Sequence, residues 1–143
     1  MKVSTRGRYG LRAMVDLAAN EESGSIPLRK IAAREQISVQ YLEQIFVKLR
    51  RSGLVKSIRG AHGGYNLNKK AQEISIGDII RVLEGPIAPV DCLLGENCEA
   101  GGKDCVSREI WKEVSESIEN VLDSMTLKDL KDKIRKKGAT NDE

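Results

Sequence analysis

Residues 28–53 read LRKIAAREQISVQYLEQIFVKLRRSG. Leu28, Ile31 and Ala32 fall on one face of a short helix over Leu28–Glu35, and Arg29, Lys30 and Arg34 fall on the other. After a tight connection, Ser38 is placed to accept hydrogen bonds from the free N–H groups of a longer helix, which runs to about Ser52 and stops at Gly53. In that helix Leu42, Ile45, Phe46 and Leu49 recur at i, i+3, i+4 and i+7 and belong to the core. The same spacing turns Gln40, Tyr41, Glu43, Gln44, Lys48 and Arg51 outward or to the edge. Short helix, turn, longer helix is the helix-turn-helix outline. The outward amides, phenol, carboxylate and cations are the groups that read base edges and grip phosphates in a major groove. A solvated helix face without a partner is the plainer alternative.

Working outward, Leu11, Met14, Val15 and Ala18 predict an amphipathic helix over Thr5–Asn20, broken by the segment through Gly24, Ser25 and Pro27. Downstream, Leu54–Arg59 and Tyr65–Leu67 read as two strands joined through Gly60-Ala61-His62-Gly63-Gly64. A hairpin after a helix-turn-helix is a wing. Arg59 at its base suits the negative potential of a narrow minor groove, and glycines such as Gly60 let the backbone approach a duplex. A flexible turn with a solvated arginine is the competing account. The run is no phosphate-binding P-loop, because no Gly-Lys-Ser/Thr follows it and it lies between strands. His62, the sole histidine, has no orienting partner in the sequence, so no Ser/His/Asp site emerges.

Charge divides the chain. Residues 1–70 hold 14 Lys and Arg against 5 Asp and Glu, a net of +9, whereas residues 71–143 hold 10 against 16, a net of −6. The first half is suited to meet a polyanion, although a solvated basic face explains the same bias. With 143 residues, 31% of them charged and 3% aromatic, the chain fits one compact domain with an aliphatic core. No apolar run reaches the roughly 20 residues that cross a bilayer, and no signal peptide opens the sequence, so no membrane association and a cytoplasmic location are expected.

The acidic half begins with Ser75-Ile76-Gly77-Asp78, which has capping-box spacing and opens a helix through Leu83, stopped by Gly85-Pro86. Glu84–Asp104 shows neither helical nor strand period and carries all three cysteines, Cys92, Cys98 and Cys105 counted at its edge. A long helix then runs from near Cys105 to about Ser124, with Trp111, Val114, Ile118, Val121 and Met125 spaced 3, 4, 3, 4 and Ile110 and Leu122 widening the seam. Such a stripe packs on its own domain or on a twofold partner, and a homodimer is the reading preferred here. Thr126 opens a last short helix to about Lys137, and a frayed tail is expected from Gly138. The expected fold is mainly α with a small β-hairpin wing. Its parts are a winged helix-turn-helix over residues 1–83, a cysteine-bearing loop over 84–104, a dimerisation helix and short C-terminal helix over 105–137, and a tail over 138–143.

The cysteines are separated by five and six residues. An odd number in a chain without export signals points to metal or thiol chemistry rather than disulfides. Thiolates are soft ligands for iron–sulfur clusters, zinc or copper, and wide glycine-containing intervals let three sulfurs converge on a polynuclear cluster. Structural zinc favours close Cys-x2-Cys pairs, which are missing. Zinc stapling of an interaction module, bare thiol redox sensing and an electron carrier remain as alternatives. An enzyme is disfavoured, because no acid/base or nucleophile pair accompanies the sulfurs.

Taken together, Ser4–Gly10 (Ser-Thr-Arg-Gly-Arg-Tyr-Gly), Tyr41–Gln44 (Tyr-Leu-Glu-Gln), Arg59–Tyr65 (Arg-Gly-Ala-His-Gly-Gly-Tyr) and the cysteine triplet followed by Trp111 resemble the family of small winged-helix repressors that includes IscR, NsrR and CymR. The resemblance covers nearly the whole chain. It implies a homodimer on double-stranded promoter DNA, with third helices in major grooves and wings in minor grooves. It also implies a cluster on Cys92, Cys98 and Cys105, of the 2Fe-2S type as in IscR-like members, which controls genes of iron–sulfur cluster assembly. By the same resemblance Tyr41, Glu43 and Gln44 match base-reading positions and Arg59 the minor-groove arginine. Two departures stand out. The last cysteine interval is one residue longer than in the IscR pattern, and Arg108 occupies the place of its histidine. A guanidinium cannot ligate iron. The fourth ligand is thus unassigned among Asp91, Glu96, Glu99, Asp104, Glu109 and a carboxylate from across a dimer, such as Glu43. Val82–Pro86 also looks like CymR, whose members typically lack the cysteines and respond to a partner enzyme. NsrR-like nitric oxide sensing remains open.

Overall fold

Helix α1, Thr5–Ala19, runs through the centre of the computed structural model, which describes residues 2–95 and 105–141, with side chains as far as 137. Ser4 caps α1 by accepting a hydrogen bond from the Gly7 N–H, and Ala13, Met14, Leu17 and Ala18 bury its inner face. Helix α2 spans Leu28–Glu35 and α3 spans Val39–Arg51, the limits that the hydrophobic spacing predicts. Between them Gln36 is left-handed, with φ 57°, and its N–H bonds back to the Ala32 carbonyl. This single residue sets the turn that a glycine fills at lower cost.

Strands β1 (Val55–Ile58) and β2 (Gly64–Leu67) pair antiparallel, with Val55 opposite Leu67 and Ile58 opposite Gly64. In β1 Val55 is buried, whereas Lys56, Ser57 and Ile58 are all exposed. The inner side of the wing is supplied by β2, which is half-buried along its length and packs Tyr65 and Leu67 against the core. Tyr65 also exchanges backbone hydrogen bonds with Ile26, at 2.8 and 3.0 Å, which ties the wing to the segment before α2.

Helix α4, Ile76–Glu84, opens with the complete capping box. The Asp78 N–H donates to Ser75 Oγ, and the Ser75 N–H donates to the Asp78 carboxylate. Helix α5 spans Val106–Ser124 and α6 spans Leu127–Asn141. The last helix therefore continues past Lys137 and through Gly138, where a frayed tail was expected. A short 3-10 turn at Asp91–Leu93 likewise interrupts the segment read as structureless. Helix α6 folds back on α1: Leu127 is fully buried in the same core as Met14 and Leu17, and Lys131 Nζ meets the Glu21 carboxylate at 2.9 Å.

Two glycines explain how closely α1 and α4 approach. A Cβ on Gly7 would lie 2.2 Å from Glu84 Oε1, and one on Gly10 would lie 2.1 Å from Leu83 Cδ1. The Gly-x-x-Gly spacing places both on the face that receives the last turn of α4.

Candidate nucleic-acid interface and cysteine segment

Ser38 caps α3, its hydroxyl accepting from the Tyr41 N–H at 3.1 Å. Along the helix Gln40, Glu43, Gln44, Lys48 and Arg51 are exposed, as are Val39 and Arg50, which the sequence reading did not single out. Tyr41 departs from this set. It is half-buried against the core, and its ring meets that of Tyr9 edge-on at 6.0 Å. Arg12 and Arg8 stand over the Tyr9 ring at 5.3 and 6.0 Å. The amino-terminal part of α1 thus adds cations and an aromatic pair beside the reading helix. Ser4–Gly10 carried the family resemblance, but nothing local in that segment indicated its position.

Phe46 fixes the angle between α3 and the wing. It is fully buried, and its ring packs at 4.8 Å and a 64° interplanar angle on Tyr65 of β2. At the wing tip Arg59, Gly60, Ala61 and His62 are exposed, and Gly60 has φ 109°. The glycines after them have internal reasons. A Cβ on Gly63 would lie 2.2 Å from the Ile58 carbonyl oxygen, and one on Gly64 would lie 2.4 Å from backbone carbon of Ile26. Both glycines let the hairpin close and dock on its own domain.

Below the reading surface, α2 is fastened to α1 through a buried carboxylate. Arg34 grips Asp16 with Nε at 2.9 Å from Oδ2 and a terminal nitrogen at 2.7 Å from Oδ1. Arg12 reaches Glu35 at 3.4 Å from the other side. Burial pushes the Glu35 carboxyl above its ordinary value of 4.5, and the neighbouring Asp16 adds to the rise against the lowering effect of Arg12. The folded protein therefore binds a proton at Glu35 over a range in which the unfolded chain has released it. Stability from this group is present below 4.5 and is lost as pH rises through the folded value. Glu35→Gln is expected to flatten the decline in stability between that pH and neutrality, measured by urea denaturation across a pH series. An unchanged slope contradicts the assignment.

Among the described residues, much of the outer face of α5 is left uncovered. Val106, Ile110, Trp111, Val114 and Val121 are exposed, and Ile118 and Leu122 line an apolar groove with Ile110, Val114 and Val121. Ser115 on the inner side is buried and donates to the Ile87 carbonyl at 2.7 Å. Arg81 of α4 grips Asp123 of α5 at 2.7 and 2.8 Å. These bonds, with Leu122 and Met125 packed against the core, anchor the helix and leave Val106, Ile110, Trp111, Val114 and Val121 exposed.

Cys92 lies in the 3-10 turn and Cys105 caps the start of α5. Both are half-buried free thiols, and Cys98 lies outside the described residues. Soft thiolates of this kind fit iron or zinc, but among the described residues no group of three His, Cys, Asp or Glu side chains assembles into a metal site. Of the carboxylates considered as a fourth ligand, Asp91, Glu109 and Glu43 are exposed, whereas Glu96, Glu99 and Asp104 lie outside the described residues. Arg108 is half-buried and lines a cavity of about 270 Å³ with Leu93, Leu94 and Lys112. His62 sits at the wing tip, far along the chain from these sulfurs. Among the described residues, no helix is long and apolar enough to cross a membrane.

The model of the family described as "Rrf2: Iron-dependent Transcriptional regulator" matches residues 3–133. The chain is 48% identical over 130 residues to the HTH-type transcriptional regulator CymR of Bacillus subtilis (strain 168), covering 91% of this chain and 89% of that one. It is similar to the solved structure of CymR, the global cysteine regulator of B. subtilis, with a TM-score of 0.79, 47% identity and coverage of 92% and 97% of the two chains. It is also similar to the structure of T. potens IscR, with a TM-score of 0.76, 45% identity and coverage of 91% and 85%.

Proposed function

Because the chain belongs to the Rrf2 family of transcriptional regulators, we propose that it is a homodimeric repressor whose hold on promoter DNA is set by an iron–sulfur cluster on Cys92, Cys98 and Cys105. A regulator rather than an enzyme is what the sequence reading expects and what these relatives are. The observation that carries the sensing reading is the pair of half-buried free thiols at the two ends of one segment, between the reading unit and α5. Iron would be held by thiolates there, and the cluster would supply a state that depends on iron supply and oxidants. The chain's own parts do the rest. Gln40, Glu43 and Gln44 present amide and carboxylate groups to base edges, with Tyr41 at the flank of this set. Ser38, Lys48 and Arg51 meet the backbone, while Arg59 and Gly60 meet the minor groove. The apolar stripe of α5 joins two copies and spaces their reading heads. The regulated genes would be those of cluster assembly.

The test is an absorption spectrum of protein isolated without oxygen. Visible charge-transfer bands are expected, and Cys98→Ala should abolish them while circular dichroism shows unchanged helix content. A colourless protein with one zinc per chain overturns the reading. Arg59→Ala should weaken duplex binding of both the iron-loaded and the iron-free protein in a fluorescence anisotropy titration. A second reading is favoured by the 48% identity to CymR: a repressor that answers to cysteine metabolism. It predicts a colourless chain whose duplex binding does not change on iron loading.

A further inference from the structure

The last residue before the cysteine segment is hydrogen-bonded to the first residues of the reading unit. Glu84 ends α4, and Gly85 follows with φ 87°, turning the chain toward Pro86 and on to Cys92. The Glu84 carboxylate accepts from the Ser4 N–H at 2.8 Å and from the Ser4 hydroxyl, which in turn accepts from the Gly7 N–H. One residue earlier, the Leu83 carbonyl accepts from Arg6 Nε at 2.7 Å. The first turn of α1 contains no acidic residue, so Glu84 from another helix supplies the negative charge that its amino-terminal dipole favours. Gly7 makes the reach possible, because any Cβ there would collide with the carboxylate.

What Glu84 holds is the turn carrying Arg6, Arg8 and Tyr9, and Tyr9 abuts Tyr41 at the edge of the reading helix. A chain of direct contacts therefore leads from the root of the cysteine segment to α3: Gly85, Glu84, Ser4, the first turn of α1, Tyr9, Tyr41. We propose that Glu84 is a positioning residue that transmits the state of the cysteine segment to the DNA-reading surface by holding or releasing the first turn of α1. The proposal rests on the sensor reading above. It adds where the coupling free energy between the two sites is carried.

The experiment compares wild type, Glu84→Ala and Glu84→Gln as full-length protein, each iron-free and each reconstituted anaerobically with ferrous iron and sulfide. The probe is a labelled duplex selected from a random library by the wild-type protein, and the quantity read is the ratio of its Kd values in the two states. Wild type is expected to show a ratio of at least about fivefold, the lower end of ordinary allosteric coupling. In Glu84→Ala the ratio should collapse toward one, with the visible spectrum retained. Hydrogen exchange at the Gly7 and Arg8 amides should become insensitive to iron. A merely structural Glu84 would lower affinity in both states and leave the ratio intact, and that result overturns the proposal. Glu84→Gln, which keeps an acceptor for the Ser4 N–H without the charge, gives the same reading if the alanine variant fails to fold. A wild-type ratio of one overturns the sensor reading and the coupling together. A wild-type ratio that survives in the Glu84 variants overturns the coupling alone.

Discussion

Phe46→Ala is expected to destabilise the protein by about 3–5 kcal/mol, the range for emptying a fully buried phenylalanine site. The expectation follows from its surroundings. The ring is wholly inaccessible, and Tyr65 leans on it at 4.8 Å. Tyr65 in turn is the wing residue bonded through its backbone to Ile26. Removing the ring opens a cavity in the core where α3 meets the hairpin. Against a typical total stability of about 5–15 kcal/mol, such a loss leaves the fold marginal. Urea denaturation followed by circular dichroism reads it directly. A cost below about 1 kcal/mol, the range of a tolerated volume-conserving swap, contradicts the packing described. Phe46→Leu, which keeps most of the volume, should lose much less and should retain duplex binding.

The second large effect concerns salt. Each chain offers Lys48, Arg50, Arg51, Lys56 and Arg59, all exposed on α3 and the wing. If a dimer neutralises about 6–10 phosphates with these groups, counterion release requires its duplex affinity to fall by roughly 10³–10⁵ between about 50 and 200 mM salt. The slope of log K against log salt counts the contacts. Arg59→Ala should reduce that slope by about one for each arginine lost, and by about two for a symmetrical dimer. A slope near zero removes the electrostatic grip and with it the assignment of this face to DNA.

Much of this arrangement is legible in the chain because it is local. The apolar spacing of Leu42, Ile45, Phe46 and Leu49 sets both the existence and the buried face of α3, and Ser38 and Gly53 mark its limits. Ser75 and Asp78 announce α4 through hydrogen bonds between residues three apart. What escapes is whatever depends on partners far along the chain. The Ser4–Glu84 bonds span 80 residues and the Lys131–Glu21 pair spans 110, and no periodicity reports such distances. Gly63 and Gly64 invite an account based on a duplex, yet the obstacles to a side chain there are Ile58, Ile26 and Pro27. Tyr41 has the composition of a reader, but Tyr9 makes it half a core residue. The cysteine triplet is read from its spacing alone, since Cys98 lies outside the described residues.

The return of α6 to α1 bears on how the protein is made. Leu127 completes a hydrophobic interior that Met14 and Leu17 begin, and Lys131 closes on Glu21. A nascent chain emerging from the ribosome therefore holds α1 without this cover until Leu127 and Lys131, the latter 110 residues beyond its partner Glu21, have been made. Loop closure over such separations is slow compared with local helix formation. During that wait the side of α1 that α6 will shield is available to chaperones and proteases. A stop codon before Leu127 would leave this face bare for good.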